Sequence, residues 1–152
     1  MSLRKKSLSL DFYQSIALTE LPIITFLNNG KRYNMLVDTG SNWSYINSQE
    51  LESMITTKES VSKSFVSANG GNTNCGAKHT IDFAIKGFIL THDFIENDFS
   101  MTFGNIKQET GVNLSGIIGT DFLRKYKFVV NFEEYKITLK CNDKPNKQEQ
   151  QP

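Results

Sequence analysis

Cysteine is scarce in this chain: Cys75 and Cys141 are the two among 152 residues. That is too few for a disulfide scaffold and reads as two free thiols in a reducing compartment. An excess of either charge is also missing. The net charge is +1, so no strong field points toward nucleic acid or an anionic membrane. No apolar run reaches the length of a membrane span. Arg4, Lys5 and Lys6 are basic, but Ser7, Ser9 and Asp11 interrupt the next residues and leave no signal-peptide core. The expected location is cytoplasmic, or outside the cell if a leader has been removed ahead of Met1. No Walker or dinucleotide fingerprint occurs. No G-x-S-x-G elbow surrounds Ser41 or Ser44, so neither reads as a hydrolase nucleophile. Cys75, His79, His92 and Cys141 are the candidate soft ligands. The Cys75-x-x-x-His79 spacing does not match a paired zinc knuckle and no second close pair exists. Neither a metal nor a cofactor is expected.

What remains is ordinary globular material, 38% apolar and 22% charged, long enough for one domain with its own core. The pattern is mostly β. Apolar residues alternate at Tyr33, Met35 and Val37, at Ile81, Phe83 and Ile85, and at Phe128, Val130 and Phe132, a period that marks strands with one buried face. Asn28-Asn29-Gly30-Lys31 separates two such runs as a hairpin turn. Residues 68–72, "ANGGN", read as a second tight turn, Lys86-Gly87 as a weaker third, and Glu133-Glu134 as a fourth. Asn47 and Glu50 are spaced as a capping box, with Leu51, Met54 and Ile55 on one helix face behind it. Residues 120–126, "TDFLRKY", read as a short helix. Residues 1–21 are set apart as an N-terminal extension, 22–141 as the folded domain, and 142–152 as a polar tail without apolar period.

The chemistry concentrates in "MLVDTGSNWSYI", residues 35–46. A buried strand runs straight into Asp38-Thr39-Gly40-Ser41, and an ionised carboxylate in such surroundings is costly unless something compensates it. A second stretch, "LSGIIGTDFLRKYKFVVNF" from Leu114 to Phe132, sets an apolar pair between glycines, then a short helix, then an alternating strand.

These two stretches, in this order and with a glycine-rich hairpin between them, resemble the paired motifs of the retropepsin-like aspartic proteases. The likeness runs from about Pro22 to Leu139 and is greatest to single-domain, bacterial-type members. It implies a closed, barrel-like β domain with a flap hairpin and one or two short helices. It also implies an endopeptidase in which two carboxylates share one proton, one activating water and the other protonating the carbonyl oxygen. The chain holds one D-T-G, since "GTD" at Gly119 to Asp121 is in the wrong order. By the resemblance, Asp38 is therefore compensated by a second Asp38 in a two-fold homodimer acting on a polypeptide substrate. Thr39 would then lock the two loops together. Gly40 would let the substrate backbone approach, and Ser41 would bond the outer carboxylate oxygen. Asn69, Gly70 and Gly71 would form the flap tip, and Ile117 and Ile118 would line the cleft or sit just behind it. The retroviral members usually carry an Asp after the first motif and an Arg after the second. Asn42 and Thr120 stand there instead, so that ion pair cannot form and the dimer must use other contacts. The hairpin of residues 128–132 and 136–139 is the substitute expected. The competing reading is a domain of the same fold used for binding or assembly, with little turnover.

Overall fold

The computed structural model describes residues 5–60, 65–66, 72–73 and 76–142. Strand β1 (Lys5–Asp11) and helix α1 (Tyr13–Thr19) precede the first hairpin, β2 (Ile23–Asn28) and β3 (Lys31–Val37). Asn29 and Gly30 both take positive φ, 53° and 74°, the backbone of the tight turn that matches strand twist. After β3 come β4 (Tyr45–Asn47), a 3-10 turn at Ser48–Ser53, β5 (Thr56–Ser60), β6 (Phe65–Val66) and β7 (Asn72–Thr73). Strands β8 (Lys78–Ile85) and β9 (Phe88–Asn97) form a second hairpin about Lys86 and Gly87, which again both take positive φ, 48° and 80°. Helix α2 (Ser100–Thr110), β10 (Gly116–Ile118), α3 (Thr120–Lys125), β11 (Val129–Asn131) and β12 (Lys136–Asn142) complete the order.

Six strands close into a barrel in the order β2-β3-β10-β4-β9-β8, with β8 returning to β2 through Leu27 and Ala84. Strand β10 runs parallel to β3 and antiparallel to β4, so it is inserted between two strands that are neighbours in sequence. Phe26, Phe83, Phe94 and Phe122 fill the interior and are wholly buried. Their ring centroids lie 5.2 to 6.1 Å apart around the cluster. Truncating one such ring to alanine costs roughly 3–5 kcal/mol.

A separate three-stranded sheet, ordered β1-β12-β11, covers one side. β1 pairs with β12 over its full length, from Lys5 opposite Asn142 to Asp11 opposite Lys136. Leu8, Leu10, Ile137 and Leu139 turn inward and join the main core. Residues set apart as an extension thus supply a strand and a helix of the fold.

The structure corrects three local expectations. Asn47 forms no box with Glu50: its Oδ1 accepts the Phe99 amide at 2.9 Å, and the segment behind it is a 3-10 turn that lacks a side-chain cap. Leu51 and Met54 pack on the core, but Ile55 lies past the turn and is 56% exposed. Phe132 is exposed because the strand ends at Asn131, whose Oδ1 takes the Glu133 and Glu134 amides as the chain turns. The expected flap tip, Asn69, Gly70 and Gly71, lies outside the described residues, as does Cys75; β6 and β7, paired antiparallel, flank that tip. Among the described residues, no helix is long and apolar enough to cross a membrane.

Candidate active site

Asp38 sits where β3 leaves the barrel. Its amide donates to Ile118 O at 2.9 Å, which continues the parallel ladder of β3 and β10 by one bond. The loop then folds back on itself: the Gly40 amide donates to Asp38 Oδ1 at 2.9 Å, and the Ser41 amide to Asp38 O at 3.2 Å. The carboxylate is half-buried, and Thr39 and Gly40 beside it are exposed. The arrangement therefore presents a carboxylate, held on one oxygen by a backbone donor, at the open end of a strand. A carboxylate placed so can take or give a proton at a surface where a second molecule can reach it.

The second glycine-flanked stretch holds the loop from behind. The Thr120 amide donates to Ser41 O at 2.8 Å, and the Gly119 amide to Ser44 Oγ at 3.0 Å. The glycines are dictated by close approach. A Cβ on Gly119 would lie 2.2 Å from Trp43 O, and one on Gly116 would lie 2.3 Å from Tyr45 O. Both obstacles are backbone atoms, so no side-chain movement relieves them. The apolar pair between these glycines is core. Ile118 is wholly buried, and Ile117 is half-buried against a second cluster of Ile23, Phe103 and Leu114. Ile118 therefore cannot touch a substrate through its side chain, and its contribution to the site is the carbonyl that fixes Asp38. Ser41 also differs from expectation within the single chain: its hydroxyl donates to Trp43 O at 2.7 Å rather than to the Asp38 carboxylate.

Three residues of the site carry no role legible in the sequence. Ser44, which lacks the surroundings of a nucleophile, is wholly buried and donates to Asp121 Oδ1 at 2.7 Å. Asp121 also accepts the Ser44 amide at 3.2 Å, the Phe122 amide at 2.8 Å and His92 Nε2 at 2.8 Å. The sequence signal for Asp121 is its place in the first turn of α3, where a carboxylate suits the helix dipole. His92 offers no local signal, because its partner is 29 residues away. The other histidine, His79, contacts Glu96 at 3.0 Å, so each histidine considered as a metal ligand faces a carboxylate partner of its own.

The family model described as aspartyl protease matches residues 24–122, more than half of the chain. No curated protein matches. Solved structures share the fold. A retropepsin-like aspartic protease from Rickettsia conorii is 14% identical with a TM-score of 0.56, over 91% of this chain and 93% of that one. The retroviral protease-like domain of Ddi1 from Leishmania major is 16% identical with a TM-score of 0.55, over 81% and 88% of the two chains. EIAV protease in an inhibitor complex is 18% identical with a TM-score of 0.51, over 69% and 86%. The D-T-G loop and the second glycine-flanked strand both fall inside the matched stretch, and the chain belongs to the aspartyl protease family, with its retropepsin-like fold.

Proposed function

We propose that this chain is an aspartic endopeptidase whose active site forms between two copies, each giving one Asp38. The observation that carries the reading is the single D-T-G loop, held rigidly at the end of β3 with its carboxylate at the open rim. Two carboxylates in contact cannot both ionise, so the pair holds one proton. The ionised member takes a proton from water as the water attacks the scissile carbonyl carbon. The protonated member gives its proton to the carbonyl oxygen. The tetrahedral intermediate then collapses as the carboxyl that took the water's proton gives it to the leaving nitrogen and the other takes back a hydroxyl proton, which restores the singly protonated pair. On this reading Thr39, exposed beside Asp38, would bond the partner's loop, and Gly40 would let a substrate backbone approach.

The terminal sheet supports the same reading. Its order β1-β12-β11 leaves β1 and β11 as the two outer strands, and β11 belongs to the hairpin expected to make the dimer contact. Val129 on β11 and Phe132 just past its end are 58% and 56% exposed, and an open strand edge with apolar side chains is a pairing surface. The two-fold mate is a second copy of β11.

The test is Asp38→Asn. Peptide cleavage should fall by about a thousandfold or more, while the melting temperature and sedimentation stay at wild-type values. Unchanged turnover would remove Asp38 from the mechanism. A dimer that forms but cleaves nothing, even as wild type, would favour the binding or assembly reading.

A further inference from the structure

The loop that carries Asp38 is bonded to the second glycine-flanked stretch along its length. Asp38 N meets Ile118 O, Thr120 N meets Ser41 O, and Gly119 N meets Ser44 Oγ. Asp121 is the charged side chain of that ladder, and it ends on His92 of β9. We propose that His92 is a positioning residue for the catalytic loop: by holding the Asp121 carboxylate it fixes Ser44, and through Ser44 the segment that aims Asp38. The inference rests on the proteolytic reading above and adds a residue to it.

The geometry leaves His92 little freedom. A carboxylate only accepts, so Nε2 carries the hydrogen at 2.8 Å from Asp121 Oδ2. The side chains are 13% and 19% exposed. The imidazole stands edge-on to Phe94 and Phe122, with centroids 5.7 and 5.2 Å away and interplanar angles of 85° and 80°. The two rings, themselves in contact with each other, pack the imidazole against one corner of the core, and the hydrogen bond to Asp121 fixes its direction. Ser44 Oγ, donating to Asp121 and accepting from Gly119 N, is then held from two sides.

The pair also suits the pH at which a shared-proton dyad works. Burial pushes the Asp121 carboxyl up, but the hydrogen bonds from His92 and Ser44, the His92 charge and the Phe122 amide together outweigh it and hold the carboxyl below its ordinary value of 3.8. Asp121 therefore stays a four-donor acceptor in acid that protonates ordinary carboxylates. Asp82 on β8, Asp93 on β9, and Arg124, Lys125 and Tyr126 at the end of α3 are the titratable neighbours. Asp82 takes the Thr91 hydroxyl, Asp93 the Thr80 hydroxyl, and Lys125 and Tyr126 donate to Thr91 O. Tyr126, its phenol pushed up to about 12 by burial, stays neutral throughout.

His92→Phe and His92→Gln, made in the full chain, test this by kcat and KM against pH, together with amide exchange at Ser44 and Gly119. His92→Phe should lower kcat about tenfold or more with KM within about twofold, shift the acid limb to higher pH, and speed exchange at both amides. His92→Gln keeps a neutral donor and should recover part of kcat but not the acid limb. Should His92→Phe fail to fold, the acid limb and exchange of His92→Gln decide the matter. Profiles and exchange that superimpose on wild type would overturn the proposal. If the wild type itself cleaves nothing, the proteolytic reading fails, and exchange alone then decides whether His92 holds the loop.

Discussion

The Asp38 loop and the terminal sheet are built in opposite ways. In the loop, the backbones of residues 38–44 and 116–121 approach so closely that a methyl group on Gly119 would fall within 2.2 to 2.8 Å of three backbone atoms of Ser41 and Trp43. The amides of Asp38, Gly40 and Ser41 and the Ser41 carbonyl find partners inside the chain, and Ile118 behind it is wholly buried. In the terminal sheet, β12 lies between two outer strands, and the one at β11 leaves Val129, and Phe132 just past its end, largely in the open. On the proposed reading the carboxylate must be aimed, which needs a rigid mount, and the sheet must meet a partner, which needs exposed groups. The loop is therefore intolerant of small changes in shape, and the edge is tolerant of them until a partner is required.

Gly119→Ala breaks the contrast most severely. Its Cβ meets immobile backbone, so the fold should lose about 3 kcal/mol or more, and urea unfolding should show the midpoint fall with cleavage lost alongside. Phe132→Asp probes the opposite region. The folded monomer should change by about 1 kcal/mol, the worth of the edge-on contact between Phe132 and Phe12, because the rest of this side chain is already exposed. Two charges across a two-fold edge should weaken dimerisation by about tenfold or more, seen as a specific activity that falls at higher protein concentration than in wild type. A monomer destabilised as strongly as by Gly119→Ala would show that the edge belongs to the core.

The smallest effect is on acid stability. Asp121 has a folded-state value below its unfolded one, so its stabilisation is complete above 3.8 and is lost as pH falls through the folded value. Melting temperature followed from pH 6 downward should hold in the wild type until that range. In His92→Phe the decline should begin at higher pH, because burial is then less fully offset. Identical curves would mean that His92 does not set the charge state of Asp121.

What the sequence disclosed was encoded locally. The Asn29-Gly30 and Lys86-Gly87 turns, the alternation of Tyr33, Met35 and Val37, the D-T-G-S step and helix α3 each depend on neighbouring residues. What it concealed depends on distant ones. Asn47 caps a backbone amide 52 residues ahead rather than its own turn. Ser44, His92 and Asp121 come from three elements that only the closed barrel brings together. Helix α2 was obscured by Gly104 in its middle and by burying a single residue, Phe103, although Gly111 at φ 78° marks its end in the usual way. The Leu8 and Leu10 alternation of β1 was present in the sequence, but its partner β12 lies more than a hundred residues away.

The central claim is that one working site needs Asp38 from two chains. Wild-type and Asp38→Asn proteins, unfolded together and refolded at fixed total concentration, give random dimers if the claim holds. Peptide cleavage should then follow the square of the wild-type fraction, leaving about a quarter of full activity in an equal mixture. Activity that falls in direct proportion, with about half remaining, would mean that a single chain cleaves by itself and would contradict the account.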